Sequence, residues 1–352
     1  MRFPPSPTDR TGFEIAVICA LPLEASVIAG IFDKQYDDNV FGKTLGDTNA
    51  YSTGVVGYHN VVLVHMPNMG KVAAATAAAC LRASFQGVQL ALVDGICGGA
   101  PFANQPGKEI LLGDVVISEG LIEYDFGRQF PDHRFSRKDT PRDNLPRPGP
   151  GIRATLAKLQ TEQGRRWLHH TSSGHLDLLQ QKLGDMVKYP GASNDILFKA
   201  TYRHKHHGPM QCASCANSSG ADVCDLAAVM SCENLGCDKE QQESSIRISR
   251  SSNPTIHFGL MASGDTVMKS GEDRDKIVTR DRVIAFEMEG AGVWELFSNV
   301  LVIKGACDYA DSHKSKKWQG YAAATAAAVT KCFLETWSPG MSLKCFVFYG
   351  LF

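Results

Sequence analysis

The feature that most limits the fold of this chain is a repeated pairing of short apolar, β-branched runs with helical runs directly behind them. FEIAVICAL (Phe13–Leu21) is continuous enough for a strand buried on both faces, and the PLEASVIAGIF that follows has helical spacing. NVVLVHM (Asn60–Met66) repeats the strand; after PNMGK, the run VAAATAAACLRASF is helical by its alanine content. VQLALVDGICGGA (Val88–Ala100) reads as a strand ending in a glycine-dense turn, and EILLGDVVISEGLIEYDFG as two further short strands. Such alternation implies a layered α/β fold around a largely parallel or mixed sheet, with ligand sites beyond the carboxyl ends of the strands.

From about residue 128 to 250 the pattern breaks. A polar, proline-rich stretch leads into the helical IRATLAKLQTEQGRRWL and then into a histidine- and cysteine-containing segment. This reads as an elaborated insertion in a single domain over residues 12–337, not as a second core. The α/β pattern resumes at IHFGLMASGDTVMKSG, continues through VIAFEMEGAGVWELF and VLVIKGACDYADSHK, and closes with the helix YAAATAAAVTKCFLETW. Residues 338–352 fit none of this and read as a tail.

Among 352 residues, 43% are hydrophobic and 21% charged, which is ordinary for a globular enzyme-sized chain. A net charge of −1 provides no field favouring nucleic acid or an anionic membrane. The N-terminus is polar and proline-rich, and its first apolar run is interrupted by Glu14, so neither a signal peptide nor a membrane span is expected; a cytoplasmic location follows. Six of the 11 cysteines (Cys19, Cys80, Cys97, Cys307, Cys332 and Cys345) are scattered in apolar surroundings, where a free thiol behaves as a small hydrophobe.

Four strand ends deliver groups that can converge on one crevice: Glu24 after ICALPL, the glycines Gly95, Gly98 and Gly99 of DGICGG, Glu287 and Glu289 around Met288, and Asp308 in CDYAD. Carboxylates in a partly dry crevice acquire raised pKa values and become candidate acids or bases. Each also has an ordinary reading: Glu24 as a first-turn helix acid, Asp308 as a cap, the glycines as steric strand ends. If the strand is regular, Glu287 and Glu289 share one face with Met288 opposite; a role for Met288 beside them requires the segment to bend or end there.

Together these residues resemble the purine nucleoside phosphorylase and nucleosidase superfamily, close to methylthioadenosine/adenosylhomocysteine nucleosidases and fungal nucleoside phosphorylase-like domains. The resemblance spans roughly residues 12–127 and 255–337, and FEMEGAG and CDYAD are its most specific parts. It implies a three-layer αβα sandwich with a central mixed, partly barrel-like sheet, a small-molecule purine nucleoside as partner, no cofactor for the chemistry, and assembly as a homodimer or larger oligomer. By position it implies that Glu289 binds the ribose hydroxyls with Met288 under the sugar, that Glu287 is a second polar contact or holds the turn, and that Asp308 assists protonation of purine N7. In MASGDTVMKSG, Val267 and Met268 match the stretch that meets the base, with Val267 where the family has a stacking aromatic.

The choice of nucleophile rests on charge. A phosphate site needs cationic, bidentate donors. Phosphorylases carry an arginine and a serine where this chain has Val93 and Ile96, which flank the acidic Asp94 before Gly98; their first strand-to-helix turn has a glycine and an arginine, where this chain offers Glu24. Glu24 matches the water-activating base of the nucleosidases, so hydrolysis is the favoured expectation. The alternatives are a phosphate-dependent phosphorylase using Lys71 or Arg82, and a nucleoside-sensing module of a larger signalling protein that binds without turnover.

The remaining five cysteines lie between Cys212 and Cys237. Cys212-x2-Cys215 and Cys232-x4-Cys237, with His204, His206 and His207 nearby, suit a structural zinc, which would compensate for the low apolar content of the insertion. The ordinary reading is a surface loop with free thiols or one disulfide. His169, His170 and His175 read as solvated loop residues.

Overall fold

The computed structural model describes residues 3–102, 109–131, 134–207, 212, 215, 223–243 and 253–338. The tail expected at 338–352 therefore lies, from residue 339 on, outside the described residues.

The chain begins β1 (Ile15–Cys19), α1 (Pro22–Gly30), β2 (Lys34–Gln35), β3 (Ala50–Val56), β4 (His59–His65), α2 (Lys71–Ser84) and β5 (Leu90–Gly99). Then follow β6 (Val115–Glu123), the small hairpin β7 (Gly127–Gln129) and β8 (Phe135–Arg137), and the helices α3 (Pro150–Gln160), α4 (Glu162–Leu183) and the single turn α5 (Cys232–Leu235). The last part comprises β9 (Ile256–Ser263), α6 (Gly271–Asp281), β10 (Val283–Glu287), α7 (Gly290–Trp294), β11 (Val300–Asp308) and α8 (Gln319–Thr336).

Nine strands form one mixed sheet in the order β10-β9-β6-β11-β5-β1-β4-β3-β2. A further antiparallel pairing, Ala285 with Gly99 and Phe286 with Gly98, joins β10 to the far end of β5. Strands β5, β11, β6, β9 and β10 thereby close into a five-membered ring, the partly barrel-like sheet that the resemblance implies. The closure corrects one expectation: DGICGG is not a turn after the strand but the strand itself, because β5 must run on through Gly98 and Gly99 to reach β10. It also corrects a second, since residues 115–123 make one long strand with a register shift between Ser118 and Gly120, not two short ones.

The continuous apolar runs have a simple cause: both faces of the sheet are covered. Ile15, Val17 and Cys19 of β1 face a core shared with α1 and α8, while Ala16 and Ile18 face a core shared with α2. Helices α3 and α4 add Ile152, Leu156, Leu159, Leu168, Leu176 and Leu179 to the first of these cores. His169, His170 and His175 are thus helical, not in a loop, and His175 Nε2 lies 3.1 Å from Glu335. The alanine-rich α8 is buried almost end to end, and its small side chains allow such close approach that a Cβ at Gly305 of β11 would lie 1.9 Å from the Ala322 carbonyl oxygen. Among the described residues no helix is long and apolar enough to cross a membrane.

Candidate active site

A cavity of about 220 Å³ opens where the carboxyl ends of β1, β5, β10 and β11 meet. Glu24, Ile96, Gly98, Val267, Met268, Glu287, Met288, Glu289 and Asp308 all stand on its wall, so these nine positions picked from the sequence arrive in one place, whereas Gly95 and Gly99 are not among its lining residues.

Glu24 is placed by the turn between β1 and α1. Pro22 starts the helix, which puts Glu24 in its first turn, and the carboxylate folds back so that Oε2 accepts from the backbone N–H groups of Ala20 (3.0 Å) and Leu21 (2.9 Å). Oε1 accepts from Ile96 N of β5 at 2.8 Å. That reach depends on Gly95, whose φ is +149° and where a Cβ would lie 2.1 Å from Glu24 Oε1. The helix-acid reading of Glu24 therefore holds locally, and the residue is also a wall of the cavity. Burial raises its pKa above the carboxylate range, a shift that Lys304 opposes and the Glu289 charge reinforces.

The paired glutamates differ in kind. β10 ends at Glu287, and Glu289 has helical backbone angles (φ −116°, ψ −35°), so the alternation of a regular strand stops at Met288. Glu287 Oε2 accepts from Glu289 N (3.0 Å) and Gly290 N (2.8 Å), tying the turn that starts α7. Its pKa is raised by burial and then by Glu289. Glu289 Oε2 instead receives the Lys304 ammonium at 3.0 Å. Burial works against the charged form of Lys304, which is 1% exposed, but Glu289, Glu24 and Glu287 outweigh it and hold the pKa well above the ordinary lysine value.

Asp308, the last residue of β11, accepts on Oδ1 from Ala310 N (2.9 Å) and from Lys314 Nζ (2.7 Å). The turn after it is tight enough to hold Ala310 at φ +51°, in the left-handed region that alanine seldom occupies. Met268 is buried at the cavity wall, whereas Val267 is 46% exposed at the rim.

Asp94 does not stand on the cavity wall. It is buried beneath, with Oδ2 accepting from Thr330 Oγ1 of α8 at 2.5 Å; burial pushes its pKa up to about 8, against the lowering effect of the Thr330 bond. Nor do the two cations considered for phosphate line the cavity. Lys71 is paired with Asp125 at 2.7 Å and Glu123 at 3.3 Å, and Arg82 donates to the Leu296 carbonyl at 3.0 Å.

With this geometry in view, residues 14–170 match the sequence profile of the phosphorylase superfamily. The chain resembles that superfamily over the matched stretch. It is 30% identical over 335 residues to a nucleotide-binding leucine-rich repeat (NLR)-like protein of Hyaloscypha variabilis, covering 93% of this chain but 30% of that protein, so it spans under a third of that relative's length. Among solved structures, the fold is similar to the 5′-methylthioadenosine/S-adenosyl homocysteine nucleosidase of Helicobacter pylori, with TM-score 0.54 and 16% identity over 92% of this chain and 98% of that one. The futalosine hydrolase of Helicobacter pylori gives 0.55 and 15% over 92% and 98%, and the corresponding nucleosidase of S. pneumoniae 0.53 and 19% over 92% and 99%.

Several residues of the site escape sequence reasoning. Lys304 has a readable signal, a lone charge inside the apolar run VLVIKGAC, which a buried strand tolerates only beside a carboxylate. Met69 and Lys314 line the cavity from loops, and Gln319 from the first residue of α8; no period or motif marks any of them.

Proposed function

We propose that the domain hydrolyses the N-glycosidic bond of a purine nucleoside, releasing free base and ribose. The observation that carries this reading is the meeting, in one cavity, of three carboxyl groups in three different environments: Glu24 held by backbone N–H groups, Glu289 paired with a buried lysine, and Asp308 at the end of β11.

In this mechanism the sugar seats on Glu289, whose second oxygen accepts from the vicinal hydroxyls while Met288 packs beneath the ring. The C1′–N9 bond breaks with its electron pair going to the base, and Asp308 delivers a proton to N7, so that the leaving group departs neutral. Water adds to the cationic C1′ and gives its proton to Glu24, whose burial makes it a better base than an exposed carboxylate. Glu287 holds the turn that aims Glu289 and is not needed as a substrate contact.

Water is favoured over phosphate because, among the described residues of the cavity wall, the cation is Lys314, and it is already engaged by Asp308. A dianion here would also lie beside Glu24 and Glu289. Base release from a panel of purine nucleosides tests the reading: we expect turnover by the native protein and its loss in Asp308→Asn. Binding without product after long incubation would instead support the second reading, a nucleoside-binding module, which the match to part of a much larger NLR-like protein favours. A homodimer in solution belongs to the same proposal and is read by light scattering.

A further inference from the structure

His204, His206 and the five cysteines of the insertion are not among the residues lining the cavity, and they fall into two groups. In the first, ligand atoms of His206, Cys212, Cys215 and Cys224 all lie within 4.8 Å of one another. His206 Nδ1 is 3.4 Å from Cys215 Sγ and 3.6 Å from Cys224 Sγ. Around a tetrahedral zinc, with Zn–S of about 2.3 Å and Zn–N of about 2.0 Å, two ligand atoms stand roughly 3.5–3.8 Å apart, so these separations are those of neighbouring ligands. The backbone also favours thiolates: Cys215 N donates to Cys212 Sγ (3.3 Å) and Ala227 N to Cys224 Sγ (3.4 Å), each from three residues further along.

In the second group, His204 Nδ1 is 3.6 Å from both Cys232 Sγ and Cys237 Sγ. Its Nε2 lies 2.9 Å from the Met230 carbonyl, which can only accept, so the proton sits on Nε2 and the Nδ1 lone pair faces the sulfurs. A ring nitrogen of His313 comes within 4.8 Å of the His204 and Cys237 ligand atoms, and His313 Nε2 is buried with no hydrogen-bond partner among the described residues. A buried histidine with an unpartnered ring nitrogen, grouped with the Cys237 thiol and with a His204 whose Nδ1 also faces Cys232, is what a metal ligand looks like before its ion is drawn in.

There is also a need for such a staple. Among the described residues, the apolar cluster under this segment consists of Cys215, Ala227 and Leu235 with a few partly buried neighbours, a small core by itself.

We propose that the insertion is a zinc module with two tetrahedral centres, one on His206, Cys212, Cys215 and Cys224, the other on His204, Cys232, Cys237 and His313. The two cysteine pairs expected to share one ion are thus divided between two, with His204 and His206 pointing alternately to each. His207 belongs to neither, since it stacks on Tyr202 and meets the Arg203 carbonyl. The second centre joins the insertion to the loop between β11 and α8, because His313 directly precedes Lys314, the partner of Asp308.

The test is metal analysis of the full chain purified without chelator and dialysed against metal-free buffer. Two zinc ions per chain are expected, falling to one in Cys224→Ser and to one in Cys237→Ser. Replacement of zinc by Co²⁺ in the wild type, which needs no variant to fold, is expected to give thiolate-to-cobalt charge transfer and the intense visible bands of tetrahedral cobalt. A metal-free native protein whose insertion thiols all react freely with a thiol reagent would overturn the proposal. So would a single ion lost equally in both variants, because that would mean one shared site. None of these readouts depends on nucleoside turnover, so failure here is distinguishable from failure of the hydrolase reading.

Discussion

Replacing Lys304 with methionine keeps the length and volume of the side chain and removes its charge. Lys304 is 1% exposed and lies 3.0 Å from Glu289, itself 4% exposed, with Glu24 and Glu287 close enough to reinforce its charge. Deleting one partner of a buried pair leaves the other uncompensated, at a cost of about 3–5 kcal/mol. Against a total stability of about 5–15 kcal/mol, that is a large fraction. Urea unfolding followed through the fluorescence of the buried Trp294 and Trp318 reads the cost directly. In the double variant Lys304→Met/Glu289→Gln no charge is stranded, so about 1 kcal/mol or more of the loss should return. Nucleoside affinity should fall in both variants, because Glu289 loses either its orienting partner or its carboxylate. A single variant within about 1 kcal/mol of wild type, with the double no better, would refute the view that Lys304 holds Glu289 as a desolvated ion pair.

Gly95→Ala places a methyl group 2.1 Å from Glu24 Oε1, and kinetics should show kcat down by about 10²-fold, the scale of a displaced general base, where an unchanged kcat would separate Glu24 from the chemistry. Asp308→Asn should lower kcat by about 10²- to 10⁴-fold with KM changed much less; a normal kcat would remove Asp308 as the acid. Asp94 has a folded-state pKa of about 8 against an ordinary value of 3.8, so the folded state binds the extra proton. Its contribution is fully present below about pH 4 and is lost as pH rises toward 8; Asp94→Asn should flatten that decline in urea titrations at pH 5, 6.5 and 8, and an identical slope would contradict it.

What was legible in the sequence was local. Buried strands such as Ile15–Cys19 announce themselves because a sheet covered on both faces needs apolar side chains on both, and FEMEGAG and CDYAD mark strand ends that carry carboxylates. What stayed hidden depends on contacts between distant segments. DGICGG looked like a turn because nothing near it says that β10, some 185 residues later, will pair with Gly98 and Gly99. Whether Asp94 faces the site is not legible either, since only the arrival of Thr330 from α8 shows that it points into the core. The different environments of Glu287 and Glu289 likewise follow from one local bend and one remote lysine. Gly95 is legible as a glycine, yet its purpose, room for the Glu24 carboxylate of α1, appears once α1 is packed against β5.

The most direct test of the central claim is the identity of the sugar formed from a turned-over purine nucleoside when excess inorganic phosphate is present. The arrangement of Glu24, Glu289 and Asp308 predicts free ribose, at a rate that does not depend on phosphate. Ribose 1-phosphate as the product, or turnover that strictly requires phosphate, would contradict it.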